Sequence, residues 1–77
     1  MSDFAATIQV TEYPPHLKHK VIFETFSKLK SGEAMLLIND HDPVPLQYQF
    51  NSMYPDQFTW EYLDKGPEVF RVNIGRV

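Results

Sequence analysis

Ala34-Met35-Leu36-Leu37-Ile38-Asn39-Asp40-His41-Asp42-Pro43-Val44-Pro45-Leu46 is the stretch on which the fold turns. Its first five residues are apolar without alternation, the pattern of a strand buried on both faces or central in a sheet. Its last residues open a helix, with Asp42 at the N-cap and Pro43 at the first helical position. Asp40 and His41 lie at the hand-over from strand to helix, and helix initiation explains neither.

Outward from that stretch, the pattern predicts a strand over 33–39 and a short helix over 43–53. Leu46, Gln49, Phe50 and Met53 share one face of that helix, and Gln49 is its only polar member. Upstream, residues 7–11 alternate polar and apolar with β-branched residues enriched, which predicts a first strand. Pro14-Pro15 end it, since proline cannot continue a ladder. A helix over 16–30 follows, with Leu17, Val21, Ile22, Phe26 and Leu29 at helical spacing. Lys20, Glu24 and Lys28 form opposite-charge pairs four apart on its wet side. Gly32 stops it as the natural left-handed residue. Strand, helix and strand in about thirty residues make a βαβ unit with parallel strands and a right-handed crossover. Residues 1–6 are expected to be disordered.

Downstream, residues 58–63 alternate with period two and carry Phe58, Trp60 and Tyr62 on one face. A hairpin turn over 64–67 leads into an antiparallel strand over 68–74. The order is βαβαββ. It predicts an α/β (α+β) two-layer sandwich, a mixed four-stranded sheet with two helices on one face. The aromatics then fill the helix–sheet interface. Glu61 and Arg71 are left on the other face, placed to pair across strands.

Composition narrows the function. Seventy-seven residues bound the chain to one domain. A domain this size buries only about 60 % of its unfolded surface. There is no cysteine, which excludes disulfides, Cys-ligated zinc, iron–sulfur clusters and thiol chemistry. A net charge of −3 and no dense basic run argue against nucleic acid. No signal-peptide zones and no long apolar run are present, so a cytoplasmic protein away from membranes is expected.

Several short motifs together resemble a known family. They are Pro14-Pro15 before Lys18-His19 and Ile22-Phe23, then Gly32-Glu33, then the string from Asn39 to Leu46. Tyr48-Gln49, Phe58-x-Trp60-Glu61-Tyr62, Gly66-Pro67 and Arg71-Val72-x-Ile74-Gly75 continue the match. The chain resembles an uncharacterised bacterial domain-of-unknown-function family of TusA/SirA-like fold. The resemblance implies a small βαβαββ domain, found alone or fused to haemerythrin-like or cupin-like metal-binding domains. It implies an accessory role, with such a metalloprotein domain as partner; separately, apolar residues left on the open sheet face suit a partner domain or a dimer, and a monomer or weak dimer is expected. The sulfur-carrying relatives use a Cys-Pro-x-Pro motif where this chain has Tyr13-Pro14-Pro15-His16, so their sulfur transfer is excluded here.

Three chemistries compete for the site. Ligands bind beyond the carboxyl ends of parallel strands, which gathers both helix starts at one end. There, His19 and His41 with Asp40 suit a divalent transition metal, with His16, Asp42 and Gln49 as secondary ligands. Helix N-termini with Lys18, His16 and His19 suit an anion or other small ligand, and Asp40 and Asp42 count against it. A His41–Asp pair suits proton transfer, but no feature encloses a substrate, so a non-catalytic domain is expected. Against all three stands a purely structural interaction module, in which the motif only builds a turn. Metal ranks first, the anion second and catalysis last.

Overall fold

The computed structural model describes residues 4–77. Strand β1 (Ala6–Gln9) runs into a 3-10 turn (Val10–Glu12) and helix α1 (Pro15–Ser27). Strand β2 (Ala34–Asn39), helix α2 (Val44–Met53) and strands β3 (Phe58–Lys65) and β4 (Phe70–Arg76) follow. The four strands form one mixed sheet in the order β1-β2-β4-β3. β1 and β2 are parallel, and β4 is antiparallel to both β2 and β3.

The registers sort every strand into two faces. Ile8, Leu37, Val72 and Tyr62 form one cross-strand row, and Ala6, Met35, Ile74 and Trp60 form the next row of that face. Ile22 and Phe26 of α1 and Leu46 and Phe50 of α2 join these residues in a single apolar core. Both helices therefore cover the same face. Phe50 is the junction, with ring centroids 5.0 Å from Phe26, 5.3 Å from Phe58 and 6.0 Å from Trp60. The aromatics of β3 thus line the helix–sheet interface, and an overall thickness of 18 Å fits one sheet and one helix layer.

The uniform apolarity of β2 reflects its central place. Met35 and Leu37 face the helices, while Ala34, Leu36 and Ile38 are half-buried on the open face. There Glu61 lies opposite Asn73, which donates to it at 3.3 Å, and Arg71 lies opposite Asp64. The expected Glu61–Arg71 pairing is therefore corrected: the regular register already sets Glu61 opposite Asn73, and a β-bulge between Tyr62 and Asp64 moves Arg71 opposite Asp64.

Boundaries differ from expectation for physical reasons. Disorder was expected over residues 1–6. Residues 1–3 lie outside the described residues, but Ala5 N–H donates to Ala34 O at 2.7 Å and Ala6 pairs with Met35, so the chain is tied down from Ala5. β1 stops at Gln9, opposite Ile38, because the chain must turn there to reach α1. α1 ends at Ser27, with Lys28 still αR and Gly32 at φ +87°. Arg76 donates to Phe26 O at 3.2 Å and lies over the Phe26 ring, placing a cation on the last carbonyls of α1. The bulge carries β3 on to Lys65, so the hairpin turn falls at Gly66 (φ +81°) and the cis Gly66–Pro67 bond, and β4 begins at Phe70.

Candidate functional site

β1 and β2 are parallel and deliver the chain into α1 and α2 at the same end of the sheet. A cleft of about 90 Å³ opens there. Val10 from the 3-10 turn, Ile22 from α1, and Pro43, Pro45 and Leu46 at the start of α2 give it apolar walls. Lys18 and His19 of α1, Asn39 at the end of β2 and His41 of the connecting loop give it polar groups. The two histidines thus share one cleft. No aspartate or glutamate lines it.

The carboxylates of the loop are engaged elsewhere. Asp40 Oδ1 accepts from His41 Nδ1–H at 2.7 Å, and both side chains are about two-thirds exposed. That hydrogen bond holds the Asp40 carboxyl below its ordinary range, and the charges of His41 and Lys18 act in the same direction. Asp40 therefore serves as the orienting partner of His41, fixing Nδ1 and leaving Nε2 free. Asp42 Oδ1 accepts from the Tyr62 hydroxyl at 2.5 Å. Burial, and then this hydrogen bond, push the Tyr62 phenol above its ordinary value. Lys65 lies 4.7 Å from the centre of the Tyr62 ring. The loop is thus pinned to β3.

Asp42 is consequently not a helix cap. α2 has Pro43 at its N-cap and no side-chain capping bond. An Asp42 cap would look for backbone donors at Val44 and Pro45, and Pro45 has no N–H. α1 starts in the same way, on Pro14 and Pro15 without a side-chain cap. Prolines at both starts remove N–H groups from the anion cradle that helix N-termini otherwise provide. Side chains therefore carry more of any recognition at this end than at a helix start with its full set of N–H groups.

Two secondary ligand candidates fall away from the cleft. Gln49 is exposed on α2, since the buried stripe narrows to Leu46 and Phe50. His16 is exposed in the first turn of α1, one turn before His19, and does not line the cleft. His19 itself stands edge-on to Phe23 at 6.5 Å between centroids. Among the described residues no three His, Asp or Glu side chains are grouped to hold a metal ion.

Asn39 is the residue that the sequence conceals. It is only 7 % exposed and is the buried polar residue of the described chain. Its Oδ1 accepts from the Asp40 backbone N–H at 2.9 Å, which fixes the amide plane. In the sequence it reads as the end of an apolar run, and only its alternation with Met35 and Leu37 hints that it faces inward.

No helix among the described residues is long and apolar enough to cross a membrane. A family model described as an uncharacterised conserved protein, DUF2249, matches residues 7–76. No curated protein and no solved structure matches the chain.

Proposed function

The chain belongs to the DUF2249 family of uncharacterised conserved proteins, and from that premise we propose a non-catalytic accessory domain of TusA-like build that binds a small anion in the cleft between its helix starts. The observation that carries this reading is the lining itself. Lys18 and Asn39 bring hydrogen-bond donors to one cleft, His19 and His41 bring imidazole nitrogens, and no carboxylate lines it. The acidic residues that counted against an anion are committed, Asp40 to His41 and Asp42 to Tyr62. A volume of about 90 Å³ is well below the roughly 300–1,000 Å³ of most sites that enclose a substrate, which supports binding over catalysis. Sulfur relay through a thiol is excluded because the chain has no cysteine.

A second reading keeps the transition metal. It draws support from the Asp40–His41 pair, the carboxylate–histidine arrangement common behind metal-bound imidazoles. His19 and the Nε2 of His41 would then be the ligands, with Asp40 behind them. The Lys18 ammonium in the same cleft works against a cation there.

One titration series separates the two. Histidine ring NMR signals of the full chain are followed with sodium phosphate, sodium acetate and zinc chloride in turn. The anion reading expects saturable shifts of the His19 and His41 rings with at least one anion. Shifts with zinc alone would replace it by the metal reading. Rings unmoved by every addition would leave the motif as a turn-builder.

A further inference from the structure

We infer that the cleft takes a small monocarboxylate, its carboxylate held by the Asn39 amide and the Lys18 ammonium and its short apolar tail set against Val10, Ile22 and Leu46. This rests on the anion-binding reading above and narrows it to a ligand class.

The Asn39 side chain carries the argument. It is more than nine-tenths buried, yet it lines the cleft. Its Oδ1 is used by the Asp40 N–H, so the amide is not free to turn over. Its Nδ2–H₂ group finds no acceptor among the described residues, and solvent space still touches it. The residue is nine-tenths buried but this nitrogen keeps contact with solvent space, so its acceptor is water or a ligand atom. Here the open space beside it is the cleft. A fixed donor of this kind selects for an acceptor atom at one position.

The other lining residues define what carries that acceptor. Lys18 brings a positive charge, and His41, with Nδ1 held by Asp40, brings Nε2. Five of the nine lining residues are apolar. A tetrahedral dianion would turn unsolvated oxygens toward those walls, which is unfavourable. Phosphate sites also draw on runs of backbone N–H groups, and Pro15, Pro43 and Pro45 supply none. Asp40, next to His41, adds a negative charge nearby that a dianion tolerates less well than a monoanion. A monocarboxylate matches both halves of the cleft, with two acceptor oxygens at one end and carbon at the other. Size points the same way. A cavity of about 150 Å³ holds benzene, so a cleft of about 90 Å³ suits an acid of a few heavy atoms. For a metal ion this lining offers only the His19 and His41 imidazoles, since neither the Asn39 amide nitrogen nor the Lys18 ammonium has a lone pair to give.

The test follows the Asn39 side-chain amide and His41 ring signals by NMR in the full chain, during separate titrations with sodium propionate, sodium phosphate and zinc chloride. Wild type, Asn39→Leu and Lys18→Gln are compared, with the unfolding midpoint of each as a control. The expected result is a saturable propionate shift of both signals in wild type. Its affinity falls by about tenfold or more in each variant, as for loss of one hydrogen bond to a charged group. Lys18→Gln changes a half-buried helix residue outside the core, so it decides the matter if Asn39→Leu does not fold. Phosphate shifting the same signals while propionate does not would overturn the carboxylate inference and leave the anion-binding reading standing. Neither anion shifting them would overturn both. Propionate affinity unchanged in a folded variant would overturn the roles given to these two residues.

Discussion

Tyr62 and Asp42 show how one hydrogen bond ties a loop to a distant strand. The phenol donates across twenty residues of chain to a carboxylate that local sequence logic assigns to a helix cap. Burial and the neighbouring carboxylate both disfavour the tyrosinate, so the folded-state pKa lies above the ordinary value of about 10. The sign follows directly. The neutral phenol is the form the fold favours, so its contribution is complete below the ordinary value and is lost as pH rises through the higher folded value. Tyrosinate absorbance, taken as the difference between wild type and Tyr62→Phe, is expected to titrate above that ordinary value. Asp42→Asn lowers the midpoint only part of the way, because burial is the larger cause. A midpoint unchanged by Asp42→Asn would mean that the bond does not persist in solution. Tyr62→Phe should also cost about 1 kcal/mol in urea unfolding, the usual net worth of one hydrogen bond.

At the scale of elements, the turn between β3 and β4 rests on Gly66. Its φ of +81° lies in the left-handed region, and a Cβ there would stand 2.7 Å from the Phe70 ring. Gly66→Ala therefore meets both a backbone penalty of about 1–2 kcal/mol and a clash that displaces Phe70. An unfolding free energy lowered by at least the backbone term is expected, and a neutral result would show that the turn adopts another conformation. Gly66-Pro67 is a legible turn signal, and so is the period-two pattern on either side. The bulge at Leu63 is not legible, because an inserted residue leaves the alternation of 58–62 untouched and reveals itself only through the partner strand. The helix starts were legible in place but not in chemistry. Pro14-Pro15 and Pro43-x-Pro45 announce a beginning. That neither beginning has a side-chain cap depends on where the N–H groups are missing and on Tyr62 claiming Asp42. Asn39 stayed hidden for a similar reason, since a strand that ends on a polar residue is ordinary and only the sheet register turns it inward.

For the molecule as a whole, one small core supports everything. At about 0.05–0.15 kcal/mol per residue, a 77-residue chain holds on the order of 4–12 kcal/mol. Phe50 is fully buried and touches Phe23, Phe26, Phe58 and Trp60. Phe50→Ala should remove about 3–5 kcal/mol, read by circular dichroism as a strongly lowered unfolding midpoint. Retention of a high unfolding midpoint would show that the helices are held by something other than this aromatic junction. His41→Ala, at an exposed loop, should by contrast stay within about 0.5 kcal/mol of wild type. The polar side of the cleft is thus separable from the fold, while Val10, Ile22 and Leu46 belong to both core and cleft. The core lies between helices and sheet, and the cleft lies at the rim where both helices begin. The measurement that tests this division most directly is the His41 ring signal of wild type and Lys18→Gln during a propionate titration, at a temperature where both are folded. The account predicts a saturable shift in wild type that weakens by about tenfold in Lys18→Gln. A ring signal that stays still in wild type, or that moves identically in both, would contradict it.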